Sequence, residues 1–225
     1  MTAVFITATG TDIGKTFLAR GVIRALRRAG REVDALKPIV SGFEPAEADG
    51  SDSGLLLSAL GHAVTADEIA RTSPWRFAAP LSPDMAASRE GRRIDVDQVI
   101  HFCRKAVDTA RGTLLIEGVG GVMVPLGQRR TVLDWMAELG LPVLLVTGSY
   151  LGTISHTLTA LDVLARRGLA INAVVISESA GSPVGLDETR EAIARFVEGC
   201  EVVALPRLPP GSVDHPVFDR LAERM

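Results

Sequence analysis

The segment "VFITATGTDIGKTF", Val4 to Phe17, constrains the fold more than any other part of the chain. An apolar run of β-forming residues passes into small polar residues and then into Gly14-Lys15-Thr16, which opens a stretch of helical period. A strand that ends in a glycine-containing loop and feeds a helix has the local geometry of a phosphate site. The backbone N–H groups at such a helix start converge on one point and favour an anion there. Lys15 adds a compact positive charge for outer phosphates, and the Thr16 hydroxyl suits Mg²⁺. The common spacing, G-x-x-x-x-G-K-[ST], would put the first glycine at position 9. Thr9 stands there instead, with Gly10 beside it.

The rest of the chain supplies the elements such a loop needs. Val4–Thr7, Leu114–Ile116, Val143–Val146 and Ala173–Ile176 read as short, continuous apolar strands, with Val33–Lys37 and Val202–Leu205 as weaker ones. Thr16–Ala29, Asp95–Arg111 and Thr153–Arg167 carry apolar residues at helical spacing, and Gly30 and Gly168 are natural stops. Strands alternating with helices of this length predict an α/β fold, with a mostly parallel central sheet flanked by helices on both faces. That is a P-loop NTPase-like architecture, expected as one domain over residues 1–225. Apolar residues make up 47% of the chain and aromatics only 4%, so the core is largely aliphatic, as parallel sheets require. Ser41–Gly54 and Thr72–Arg93 are too long for ordinary connections and are expected to be irregular, substrate-covering loops.

A net charge of −3 gives no support to nucleic-acid or acidic-membrane binding. Cys103 and Cys200 are too few for a disulfide framework or a thiolate metal site and read as small buried hydrophobes. No basic-then-apolar leader precedes the first strand, which predicts a cytoplasmic protein. His62, His101, His156 and His215 lie in separate segments, so no catalytic histidine is expected.

Ligands of an open α/β sheet bind beyond the carboxyl ends of its strands. Glu117 ends the apolar run "TLLIEG" at that edge, where a carboxylate would meet a phosphate-bound cation. Asp52, in the loop after the second strand, is a further metal candidate, with Asp49 as its competitor. Only three lysines, Lys15, Lys37 and Lys105, occur among 24 basic residues, and two of them fall at this edge. A lysine there can stabilise charge developing on a small group.

Together these residues resemble the dethiobiotin synthetase family. The shared stretches are "TGTDIGKT", "KPIVSG" (Lys37–Gly42), "FAAPLSP" (Phe77–Pro83), "EGVGG" (Glu117–Gly121), Asp134-Trp135 and "PVLLVTGSYLGTISH" (Pro142–His156). The resemblance implies condensation of 7,8-diaminononanoate with CO2 and ATP, Mg²⁺ assisting, to dethiobiotin, ADP and phosphate. The steps implied are capture of CO2 as a carbamate, its phosphorylation to a mixed anhydride, and ring closure by the second amine. Carried over, Lys37, Lys15 and Thr11 are catalytic, and Thr16, Asp52 and Glu117 bind the metal. Nucleotide contacts fall on Asp12, Ile13, Gly14, Lys15, Thr16, Phe17, Asp52, Glu117, Gly118, Val119 and Gly120, and at the base on Ser177, Glu178, Pro206, Arg207 and Leu208. Substrate contacts fall on Thr11, Lys37, Ser41, Pro80, Gly118, Leu151, Gly152 and Ser155. Such enzymes are homodimers, and the partner chain contributes the Gly148–His156 region.

The chain departs from the family pattern at Ala8, Gly10 and Asp12, and at Ser177-Glu178, where many relatives carry Asn-Asp against adenine. Base preference is therefore open to nucleotides other than ATP. Two competing readings share the phosphate loop. A partition-type ATPase would carry a lysine at position 10, where this chain has glycine. An amidotransferase-type synthetase would need a glutaminase domain, and no Cys/His pair here lies in a nucleophile motif.

Overall fold

The computed structural model describes residues 2–225. Eight strands occur among them: β1 Thr2–Ala8, β2 Val33–Leu36, β3 Ile39–Ser41, β4 Trp75–Phe77, β5 Thr113–Glu117, β6 Val143–Thr147, β7 Ile171–Ser177 and β8 Glu201–Leu205. The α-helices are α1 Lys15–Arg28, α2 Asp52–Leu60, α3 Ala66–Thr72, α4 Pro83–Arg89, α5 Val96–Thr109, α6 Val132–Leu139, α7 Thr153–Arg166, α8 Leu186–Ala194 and α9 Pro216–Ala222. Six strands form one sheet in the order β2-β5-β1-β6-β7-β8, and every pairing in it is parallel.

Parallel strands covered on both faces need apolar residues at successive positions, and each face then takes alternate ones. Along β1, Val4, Ile6 and Ala8 enter the core beneath α1, α2 and α9, while Phe5 enters the opposite core with α5 and α6. Leu144 and Val146 of β6 divide from Val143 and Leu145 in the same way. On the second face the Phe5 ring meets Trp135 edge-on at 4.8 Å. Cys103 is buried there, and burial pushes its thiol up to about 12; Cys200 is only half-buried against the same core.

All six expected strands are present, and the three expected helices match to within a residue or two. The two stretches expected to be irregular are structured. Ser41–Gly54 holds the end of β3, a 3-10 turn over Pro45–Gly50 and the approach to α2, so Asp52 opens a helix rather than lying in a loop. Thr72–Arg93 holds β4 and α4, and β4 pairs with β3 in a small parallel sheet. Three-residue strands beside prolines are too short to show a period of two, and α2 ("DSGLLLSAL") has apolar residues on most sides. Among the described residues no helix is long and apolar enough to cross a membrane.

Candidate active site

The phosphate-type loop, residues 9–14, leaves β1 between two parallel neighbours, β5 and β6. Its entry is held on both flanks: Thr9 N–H donates to the Val146 carbonyl of β6 (2.9 Å), and Val122 N–H, in the turn after β5, donates to the carbonyl of Ala8 at the end of β1 (3.0 Å). Asp12 adopts φ 55°, the one positive value at a non-glycine residue among those described. Gly14 follows at φ 104°, and a Cβ there would lie 2.9 Å from the Ser177 hydroxyl, so glycine is needed for conformation and for space. Helix α1 then starts with no side-chain cap and no acid in its first turn. Its N–H groups are left for an external acceptor.

Lys15 is buried and folds back so that Nζ donates to Gly10 O at 3.1 Å. Burial, and next the nearby Lys37 charge, lower its pKa to about 8. A phosphate in the loop would oppose both effects by supplying a counter-charge.

A second cluster sits beside it. Glu117, at the end of β5, is 1% exposed, and Lys37, one residue past β2, is 3% exposed. Their Nζ–Oε1 distance is 2.5 Å; Nζ also donates to Gly118 O at 2.8 Å and lies 3.1 Å from Asp52 Oδ2. All three ammonium protons therefore have acceptors. Burial alone would lower the Lys37 pKa, but the Glu117 and Asp52 carboxylates raise it, so the lysine stays charged. Burial would raise Asp52, but Lys37 and the Thr16 hydroxyl hold it below the usual range.

The Thr16 hydroxyl lies 2.8 Å from Asp52 Oδ1 and 2.7 Å from Glu117 Oε1. One hydroxyl proton cannot serve both carboxylates, and Glu117 Oε2 is buried with no partner at all. A set of oxygen donors with a surplus of lone pairs and an orphaned buried carboxylate oxygen fits a hard divalent cation such as Mg²⁺. Asp49, by contrast, is exposed in the 3-10 turn and takes no part in this cluster.

A cleft of about 640 Å³ opens over these groups, bounded by Thr11, Asp12, Gly14, Lys15, Thr16, Phe17, Lys37, Ser41, Asp52, Pro80, Glu117, Val119 and Gly120. Ser41 Oγ is buried at its wall without a partner. Val40, Leu81 and Val124 add an apolar side that was not singled out in the sequence, although Val40 and Leu81 lie inside two of the quoted motifs. Gly118 contributes its carbonyl to Lys37 rather than a cleft surface.

Across the loop, a second hollow of about 860 Å³ is bounded by Asp12, Ile13, Phe17, Ser177, Glu178, Pro206, Arg207 and Leu208, together with Arg20, which sequence reasoning missed. Glu178 Oε2 accepts from Arg207 N–H at 2.8 Å, so one of its oxygens braces the β8 connection. Leu151, Gly152 and Ser155 are exposed at the start of α7 and border neither hollow within one chain.

A family model described as an AAA domain matches residues 2–212. The ATP-dependent dethiobiotin synthetase BioD of Acidiphilium cryptum (strain JF-5) is 52% identical over 198 residues, covering 88% of this chain and 89% of the relative. The enzyme of the same name from Caulobacter sp. (strain K31) is 50% identical, covering 92% and 89%. Among solved structures, the septum site-determining protein MinD of Pyrococcus horikoshii OT3, complexed with Mg-ADP, superposes with a TM-score of 0.57 at 17% identity, covering 99% of this chain and 94% of that one. That likeness extends to the fold, a P-loop NTPase architecture. With a loop, an acid and a buried lysine set as described, and with relatives half identical along nearly its whole length, the chain belongs to the ATP-dependent dethiobiotin synthetase family.

Proposed function

We propose that the protein is an ATP-dependent dethiobiotin synthetase, a ligase that closes C–N bonds, and that the cleft over Lys37 is its reaction site. The observation that carries the reading is the buried Lys37–Glu117–Asp52–Thr16 cluster beside the phosphate loop, facing a cleft with one apolar side.

In this reading one amine of 7,8-diaminononanoate adds to CO2, losing a proton to give a carbamate. A carbamate oxygen displaces ADP from the γ-phosphorus, and the second amine then attacks the carbamoyl carbon and expels phosphate as the ring closes. Phosphoryl transfer of this kind needs alignment and charge stabilisation more than a protein nucleophile. Val40, Leu81 and Val124 take the methylene chain, and Ser41 offers its unpartnered hydroxyl to a substrate amine or the carbamate. Lys15 and the N–H groups of α1 hold the phosphates, with Thr11 at the cleft side of the loop. Of the contacts made by Lys37, the one to Asp52 is longest, and turning that proton toward the carbamate and the transferring phosphoryl group costs least. Thr16, Asp52 and Glu117 would hold Mg²⁺, which supplies neutralising charge at the phosphates.

Ser177, Glu178 and the Pro206–Leu208 segment form the base end. A second copy of the chain supplies Leu151, Gly152 and Ser155, so the working unit is a cytoplasmic homodimer acting on small molecules. Sedimentation velocity checks the dimer. The reaction is tested by incubation with diaminononanoate, bicarbonate, Mg²⁺ and ATP and detection of dethiobiotin by mass spectrometry. Absence of product with all four common nucleoside triphosphates would overturn the assignment.

A further inference from the structure

Behind the phosphate loop lies a chain of threonine hydroxyls that the reaction as described does not use. Thr147 ends β6, the strand next to β1, and its side chain is fully buried. Its Oγ1 lies 3.2 Å from Thr9 Oγ1, 2.9 Å from Thr153 Oγ1 and 2.7 Å from Thr157 Oγ1. Thr153 and Thr157 belong to the first turns of α7 and are themselves buried.

Proton counting gives this cluster a direction. A threonine hydroxyl has one proton and two lone pairs. Thr153 spends its proton on the Gly148 carbonyl (2.7 Å), and Thr157 spends its own on the Thr153 carbonyl (2.7 Å). With those two carbonyl bonds made, Thr147 donates toward α7, and the arrangement that fits them has Thr147 accepting from Thr9, in a contact that either hydroxyl could donate.

Thr9 is the residue standing where the common loop spacing has glycine. Its backbone is held on the other flank as well: a Cβ on Gly121 would come within 3.1 Å of the Thr9 carbonyl and 3.2 Å of Gly10 Cα. The loop is thus clamped between the Gly120-Gly121 turn and Thr147.

We infer that Thr147 is a positioning residue that sets the phosphate loop, through the Thr9 hydroxyl, in fixed relation to the start of α7. This rests on the reading of the loop as the nucleotide phosphate site. Thr9 replaces the missing glycine's freedom with a side-chain tether, and its hydroxyl is engaged with Thr147 inside the protein. Phosphate contacts are left to backbone N–H groups and Lys15.

The test is calorimetric binding of Mg-ADP, with KM for ATP, on the full-length protein. Thr147→Val keeps the shape and removes the hydroxyl; it is expected to weaken ADP binding and raise KM about fivefold, the worth of one neutral hydrogen bond. Thr147→Ser restores the hydroxyl and is expected to return both to within about twofold of the parent. Thr9→Val is expected to match Thr147→Val, and the double variant to be no weaker than either single one, because both remove the same bond. Thr157→Val, whose proton serves only its own helix, is expected to bind as the parent does. If Thr147→Val proves unstable, Thr9→Val alone decides, since it lies on the partly exposed loop. Unchanged ADP binding in Thr9→Val, additive losses in the double variant, or a serine variant as weak as valine would each overturn the inference. A parent protein that binds no nucleotide would instead overturn the functional reading.

Discussion

Helices α1 and α7 leave neighbouring strands, β1 and β6, and begin in the same way. Each follows a left-handed glycine, Gly14 at φ 104° and Gly152 at φ 96°, and neither has a side-chain cap or an acid in its first turn. Both therefore leave N–H groups without intrahelical partners at the positive end of a helix dipole, although the first at α7, Thr153 N–H, donates to the Tyr150 carbonyl (3.1 Å). Their surroundings differ. The start of α1 is walled by Lys15, Lys37, Glu117 and Asp52 in a cleft, whereas that of α7 stands at the surface beside Leu151, which is 85% exposed. Helix α6 is the counterexample. Thr131 and Asp134 form a capping box there, so the chain's own side chains occupy the groups an anion would use. A free helix start is a general device, and the charges and walls around it decide what it can hold.

Variants can break this contrast in turn. The largest effect is expected at Lys37. Lys37→Ala should lower kcat about 10²- to 10³-fold, the usual cost of losing a preorganised charge, with ADP affinity little changed. It also removes the counter-charge from buried Glu117, costing about 3 kcal/mol in a denaturant melt. Retained turnover per folded molecule would remove the lysine from the reaction. Lys15→Ala acts at α1 itself and should weaken ADP binding about tenfold or more through lost charged hydrogen bonds, measured by calorimetry.

Ser155→Asp sharpens the α7 side, because it should strengthen the helix while weakening substrate binding. An acid in the first turn stabilises the helix by about 0.5 kcal/mol, seen as a slightly raised Tm. In the proposed dimer this helix start meets the substrate, whose carboxylate suits its N–H groups, so the same charge should repel it and raise the diaminononanoate KM several-fold, with KM for ATP unchanged. Equal shifts in both KM values would count against a substrate role for this helix start.

The smallest effect belongs to the capped helix. Asp134→Asn should cost about 0.3 kcal/mol near neutral pH, the low end for an acid in a helix's first turn. Burial alone would raise the Asp134 pKa, but the Thr131 N–H and hydroxyl and the Arg167 guanidinium bring it below the usual range. Its stabilisation is therefore present above the unfolded-state value near 4 and is lost as pH falls through the lower folded value. Parent and variant melts should converge once the pH has fallen below that lower folded value.

The Asp134-Trp135 pair shows what a motif alone leaves undecided. Read in the chain it could belong to a site; in the structure Asp134 caps α6 and Trp135 packs on Phe5. Lys37 shows the reverse. As an isolated strand-end cation it reads as exposed, yet it is buried with three acceptors, because Glu117 arrives from β5, 80 positions away. Asp52 and Asp49 look equivalent in sequence, and only the turn into α2 separates them.

Local features were readable because they rest on local physics. The apolar runs, the helical periods, the glycine-lysine-threonine loop and the acid ending β5 each follow from neighbouring residues and backbone preference. They were enough for the sheet, its ligand edge and the family. Contacts between distant segments decided the rest: the small β3–β4 sheet, the burial of Lys37 and Glu117, the opening of the cleft and the tether from Thr9 to Thr147. A single hydroxyl or ammonium carries no signal of its partners in the chain. Its role is set by which lone pairs and protons the fold brings within about 3 Å of it.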